Sequence, residues 1–186
     1  MVKEIKSNGR LKLTQLGGYA WNTVEGEGCT VFAADGQQHR GAILLSTASA
    51  HVHGGKVNET RRDGDNMEVR LDLRTASREE TEGFGIRVGD FMAFDPRVEV
   101  INGFLRSRHL DDKACVACLV AAVKSMHDAD LRPAQKAYLH ISNYEEVGHG
   151  AAAGIPADAA ELVSVDMAAV GDGQTSDEFH ATLCVK

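Results

Sequence analysis

Aromatic residues make up only 5% of the 186 positions, and cysteine occurs four times, at Cys29, Cys115, Cys118 and Cys184. Four scattered thiols are too few for the disulfide framework of a small secreted domain, so the chain reads as cytoplasmic. No apolar run approaches the ~20 residues of a membrane helix. The longest, Ala114 to Val123, is interrupted by two cysteines. The opening Met-Val-Lys-Glu-Ile-Lys lacks the apolar stretch of a signal peptide. A basic stripe is missing as well. The formal net charge is -7, split as -2 over residues 1–100 and -5 over residues 101–186. That balance argues against nucleic acid or an anionic membrane as the main partner.

What is present is ordinary globular material, 43% apolar and 25% charged. A chain of this length can bury roughly 70% of the surface its unfolded form exposes. From about Asn8 to Pro96 the sequence is short apolar runs cut by turn signals. Leu11-Lys12-Leu13, Cys29-Thr30-Val31-Phe32, Gly41 to Leu45 and Val69 to Leu73 alternate with Asn8-Gly9, Asp35-Gly36 and His53-Gly54-Gly55. Period-two alternation at this spacing predicts a small antiparallel barrel or sandwich, with Trp21 and the Phe residues in its core. Ser77-Arg78-Glu79-Glu80 reads as a capping box opening a short helix that ends near Gly83. The polar stretch from Asn58 to Asn66 reads as a mobile loop.

The second half reads as α/β. Asp112 to His127 places Cys115, Cys118, Leu119 and Ala122 on an apolar face, which predicts a buried helix with both cysteines in the core. Ala137–Ile141 and Leu162–Asp166 read as strands, with a glycine turn over Gly148–Gly154 between them. Helix and strand alternating in this order imply a parallel sheet.

Three acidic sites follow from that layout: Asp111-Asp112 before the helix, Glu145-Glu146 after the first strand, and Asp166 ending the second. Taken singly, each is a helix cap or a solvated loop. Ligands of open parallel sheets bind at the carboxyl ends of the strands, where two of these sites fall. Crowded carboxylates need cations or protons, so the set together reads as a carboxylate-rich metal site.

Asp-Asp-Lys before a helix, then Glu-Glu-Val-Gly-x-Gly-Ala, then Val-Asp-Met-Ala resembles the glutamyl aminopeptidase or tetrahedral aminopeptidase family of two-metal peptidases. Leu16 to Trp21 and Gly85 to Phe91 resemble landmarks of that family's inserted β-barrel. The resemblance implies an α/β catalytic domain, present in part as residues 1–8 and 97–186, with residues 9–96 as the inserted barrel that favours homo-oligomers. It implies peptide substrates trimmed from the N-terminus. It also implies roles: Asp111 bridging two divalent ions, zinc or cobalt; Glu146 holding one and Asp166 the other; Glu145 as general base; and a cis Asp111–Asp112 peptide.

The family's two histidine ligands, in an upstream His-x-Asp and near the C-terminus, have no counterpart in these residues. The expectation is therefore weak activity, and a site left with carboxylates alone. His51 and His53, at i and i+2, would share one face of a strand, but nothing in the resemblance assigns them to metal. His109 lies two residues before Asp111, His149 sits in the glycine turn, and His180 reads as surface. Two other function classes remain: a metal-independent glycosidase using Glu145 and a second carboxylate, or a non-catalytic assembly module.

Overall fold

The computed structural model describes residues 1–185. It divides into two compact units, residues 1–97 with 146–148, and residues 98–145 with the chain from 149 onward.

The first unit is built on six antiparallel strands: β1 (Val2–Ile5), β2 (Leu11–Leu13), β3 (Gly28–Phe32), β4 (Gln38–Leu45), β5 (Met67–Leu71) and β6 (Phe91–Phe94). Their order in the sheet is β1-β2-β5-β4-β3-β6. Residues 1–8 thus supply the first strand of this sheet. Two backbone bonds, Val2 N–H to Asp90 C=O (2.8 Å) and Gly89 N–H to Val2 C=O (2.9 Å), bring the chain before β6 against β1. The sheet curls into a half-barrel as a result.

Alternation sets the register. On β4, His39, Gly41, Ile43 and Leu45 are buried, and their neighbours face out. On β5, Met67, Val69 and Leu71 join them, with Val2, Ile5, Leu11, Leu13, Cys29, Val31 and Ile86 completing the core. A one-residue slip would turn that whole set to solvent. Trp21 and Tyr19 pack partly buried against the core, edge to face at 5.4 Å. Three phenylalanines depart from the expected interior placement: Phe32, Phe84 and Phe91 are exposed, Phe91 by 60%. Phe32 and Phe91 are cross-strand partners on the outer face, a position that alternation alone dictates.

The connection from β4 to β5 holds two single-turn helices, α1 (Ala50–His53) and α2 (Lys56–Glu59). The loop expected to be mobile is tied down. The Asp63 carboxylate accepts from Asp65 N–H, Asn66 N–H and Asn66 Nδ2 at 2.9–3.0 Å. Arg62 donates to Glu25 (2.8 Å) and to the Val57 and Thr60 carbonyls. Between β5 and β6, α3 (Arg78–Gly83) opens on a variant of the capping box, with the reciprocal bond one residue before the N-cap. Ser77 Oγ accepts from Glu80 N–H, and the Glu80 carboxylate reaches back to Ala76 N–H.

In the second unit, β7 (Glu99–Ile101) and β8 (Phe104–Arg106) form a hairpin around Asn102-Gly103, both with positive φ. That is the type I′ turn that Asn-Gly favours. Helix α4 (Lys113–Asp128) follows. It forms where expected but is not buried: Cys118, Val120 and Val123 are exposed and Cys115 is half-buried. Residues 137–141 and 162–166 form no strand ladder. Leu162 and Val163 are 72% and 80% exposed. A parallel strand exists only when neighbours satisfy its backbone, and among the described residues none does. Helix α4 likewise has no buried residue along its length. Among the described residues no helix is long and apolar enough to cross a membrane.

Candidate metal centre

The site is assembled at the start of α4. Asp112 occupies the N-cap position without using its side chain as a cap. The first turn is closed instead by Ala114 N–H to Leu110 C=O (2.8 Å) and Val116 N–H to Asp112 C=O (3.2 Å). The Asp112 carboxylate is therefore not spent on capping the helix. The Asp111–Asp112 peptide is cis. Asp166 follows the irregular segment 162–165, and one of its oxygens accepts from Met167 N–H at 2.6 Å.

These three residues converge. One carboxylate oxygen from each of Asp111, Asp112 and Asp166 lies within 4.8 Å of the others, Asp112 half-buried and the other two exposed. Three like charges this close repel unless a proton or a cation sits among them. Hard divalent ions bind oxygens at about 2.0–2.6 Å, so opposite ligands stand roughly 4–5 Å apart. The three aspartates match that span, and their donor set suits a hard cation.

Cys115 lies one turn along α4. The bond its thiol donates to Asp112, then burial and the charges of Asp112 and Asp166, push it up to about 11. The thiol stays protonated and serves the cluster as a hydrogen-bond donor.

Glu145 and Glu146 sit on a single 3-10 turn, Glu145–Val147, which Gly148 and Gly150 close with left-handed backbone. His149 N–H donates to Tyr144 C=O (2.9 Å) across it. Both glutamates are exposed; Glu145 stands outside the aspartate cluster, and Glu146 belongs to the segment grouped with the first unit. Among the described residues the cluster includes no histidine. His51 and His53 are on α1, not on a strand, so two positions no longer share a face. His109 has a positive φ, and His180 pairs with Asp177 at 2.8 Å. Asp112 is the cluster member that sequence reasoning left without a role. Its signal was the adjacency to Asp111 at a helix start.

The sequence matches the M42 glutamyl aminopeptidase family over residues 1–186. It is 45% identical to "Putative aminopeptidase YhfE" of Bacillus subtilis (strain 168), covering 100% of this chain and 54% of that protein. Among solved structures, aminopeptidase APDkam598 from the archaeon Desulfurococcus kamchatkensis superposes with a TM-score of 0.55 at 28% identity. That match covers 67% of this chain and 32% of the other. The Pyrococcus horikoshii TET1 peptidase, which can assemble into a tetrahedron or a large octahedral shell, superposes at 0.52 with 23% identity. It covers 69% of this chain and 37% of that one, and shows a shared fold. The chain spans about half the length of the curated relatives it matches. Aminopeptidases of this family are metal-dependent hydrolases. The chain belongs to the M42 glutamyl aminopeptidase family.

Proposed function

We propose that these residues form the central part of a cytoplasmic aminopeptidase that removes N-terminal residues from peptides with the help of two divalent ions. The observation that carries this reading is the convergence of Asp111, Asp112 and Asp166 at the head of α4. In it, Asp111 would be a ligand to both ions, zinc or cobalt, and Glu146 and Asp166 would each hold one. The ions, when bound, supply Lewis acidity toward the scissile carbonyl. Glu145 takes the proton of the attacking water and delivers it to the leaving amine, as a carboxylate within reach of both can. Residues 9–96 act as an inserted β-domain within a parallel-sheet α/β catalytic domain. The assembly described for the TET1 peptidase supports a homo-oligomer for this chain too.

The described cluster is carboxylate-only, so turnover by this chain is low and its preference shifts from zinc toward manganese or magnesium. Calorimetric titration of manganese into the wild-type chain and Asp166→Asn tests the site, alongside hydrolysis of an aminoacyl-anilide. Weak binding lost in Asp166→Asn is the expected result. Equal binding by both, or binding by neither, overturns the site. Fast hydrolysis abolished by Glu145→Gln would overturn the low turnover while supporting the assigned base.

A further inference from the structure

The first unit carries a second polar site, remote in sequence from the acidic residues of the candidate metal centre. A cleft of about 680 Å³ lies between the β1–β2 turn and the β5–α3 connection, lined by Gly9, Arg10, Arg70, Arg74, Thr75 and Glu80 among others. Its walls are fixed by short bonds. Lys6 N–H donates to Arg10 C=O and Gly9 N–H to Lys6 C=O, holding the turn. Thr81 Oγ1 donates to Gly9 C=O at 2.9 Å, tying α3 to that turn. Gly9 has φ +80°, and a Cβ there would stand 2.8 Å from Thr81 Oγ1 and 3.1 Å from Thr75 Oγ1. Only glycine lets the two segments approach this closely.

The charges in the lining do not cancel. Arg10 gives one guanidinium nitrogen to Glu68, whose other oxygen is taken by Lys6. Glu80, the single acid of the lining, already accepts from Ala76 N–H at 2.6 Å. Arg70 and Arg74 are exposed and, among the described residues, have no carboxylate within 4.0 Å. Arg40, Arg62 and Arg97 of the same unit are all paired with acids. The cleft, large enough for a small molecule, is thus lined by two arginines without an acid partner and a third that shares Glu68 with Lys6, against a single engaged acid. Guanidinium forks bind phosphate or carboxylate oxygens in pairs, which a lone lysine cannot do.

We propose that this cleft binds a small anion carrying two or more phosphate or carboxylate groups, gripped by Arg70 and Arg74 with Arg10 at the rim. The test is titration of the 15N-labelled chain with pyrophosphate and, separately, with citrate at 150 mM sodium chloride. Saturable shifts centred on residues 8–10 and 70–76 are expected. Arg70→Gln and Arg74→Gln each weaken binding about tenfold, the loss typical of one charge-assisted pair. Arg70→Lys, which keeps the charge but loses the fork, falls between. Arg78→Gln, at the first position of α3 and not among the lining residues, stays within about twofold of wild type. The tighter of the two probes identifies the anionic group, phosphate or carboxylate. Absence of saturable shifts, or an Arg78→Gln loss equal to that of Arg70→Gln and Arg74→Gln, overturns the site and leaves only a diffuse positive field. Arg70 and Arg74 carry no ion pair within the fold, so the variants keep it, and unchanged circular dichroism confirms this.

Discussion

The two units use similar apolar residues with opposite results. In the first, Ile43, Leu45, Val69 and Val31 are fully buried because each lies on the inner side of a curled sheet whose next strand is in the same unit. In the second, Leu162, Val163, Val120 and Val123 are of the same chemical kind and lie exposed. Hydrophobicity is a property of the side chain, whereas burial requires a second surface. The antiparallel sheet of the first unit finds that surface within residues 1–97, by local hairpins and by the longer-range β2–β5 and β3–β6 pairings. A parallel sheet draws it from far along a chain, by crossover connections.

Cysteine reactivity probes that contrast with the largest expected effect. Burial pushes the Cys29 thiol up to about 12, so at pH 8 about one thiol in ten thousand is ionised. Cys118 and Cys184 are exposed. With a thiol-exchange reagent at pH 8, Cys118 and Cys184 should react at least about a hundredfold faster than Cys29, which becomes reactive only in denaturant. Comparable rates for Cys29 and Cys118 would mean the first unit is as open as the second.

Truncation probes the same difference in energy. Leu45 is fully buried, and Leu45→Ala should destabilise the first unit by about 3–4 kcal/mol in urea unfolding, through lost transfer energy plus a cavity. Val163→Ala, at an 80% exposed site, should change stability by less than about 0.5 kcal/mol. A large loss at Val163 would show that the second unit is packed in solution.

The contrast also explains what the sequence revealed. The β-unit was legible because alternation and turn residues are local: strands form over Leu11–Leu13 and Gly28–Phe32 as the pattern puts them, while the runs at Gly41–Leu45 and Val69–Leu73 become Gln38–Leu45 and Met67–Leu71, shifted or extended by up to three residues. The capping box at Ser77 and the helix after Asp112 are local signals too. The Asn102-Gly103 hairpin was equally local and went unread. The Ala137–Ile141 and Leu162–Asp166 segments have strand composition, but pairing is a property of partners, which composition does not contain. His51 and His53 were read in the wrong period, because a four-residue helix is too short to show a helical pattern. At the site, the meeting of Asp111 and Asp166 follows the order of the acidic motifs. The share of Asp112 and the hydrogen bond from Cys115 depend on a helix-start geometry that no spacing rule encodes.

An ion-pair cluster gives a mid-sized test of the first unit. Glu68 is on the outer face of β5 yet 2% exposed, covered by Lys6 and Arg10. Burial alone would raise its pKa; the hydrogen bonds and charges of Lys6 and Arg10 outweigh that and leave it lowered. A lowered folded-state pKa means the pair stabilises the fold above the unfolded pKa and is lost as pH falls through the folded one. Stability of the first unit should therefore decline in acid below about pH 4, the carboxylate range. Glu68→Gln should cost about 2 kcal/mol at pH 7, because it strands two cations on a largely buried amide, and should flatten the acid-side slope. An unchanged slope would place the acid sensitivity elsewhere.

The two helix starts give the smallest expected effect and compare the units at the same position. Ser77 caps α3 by accepting from Glu80 N–H at 3.2 Å, satisfying a donor the helix itself leaves open. Ser77→Ala should cost the first unit about 1 kcal/mol. Asp112 stands at the corresponding place of α4 and makes no capping bond. Its charge gains a few tenths of a kcal/mol from the positive end of the helix dipole. Against that stands repulsion from Asp111 and Asp166, whose oxygens lie within 4.8 Å. The two terms offset, so in chelator-containing buffer Asp112→Ala should leave α4 helicity and unfolding within about 0.5 kcal/mol of wild type. Urea unfolding followed by far-ultraviolet circular dichroism reads both variants on one scale. A loss at Asp112 as large as that at Ser77 would show that the aspartate stabilises the helix start, and the crowding of three carboxylates there would no longer need a cation to relieve it.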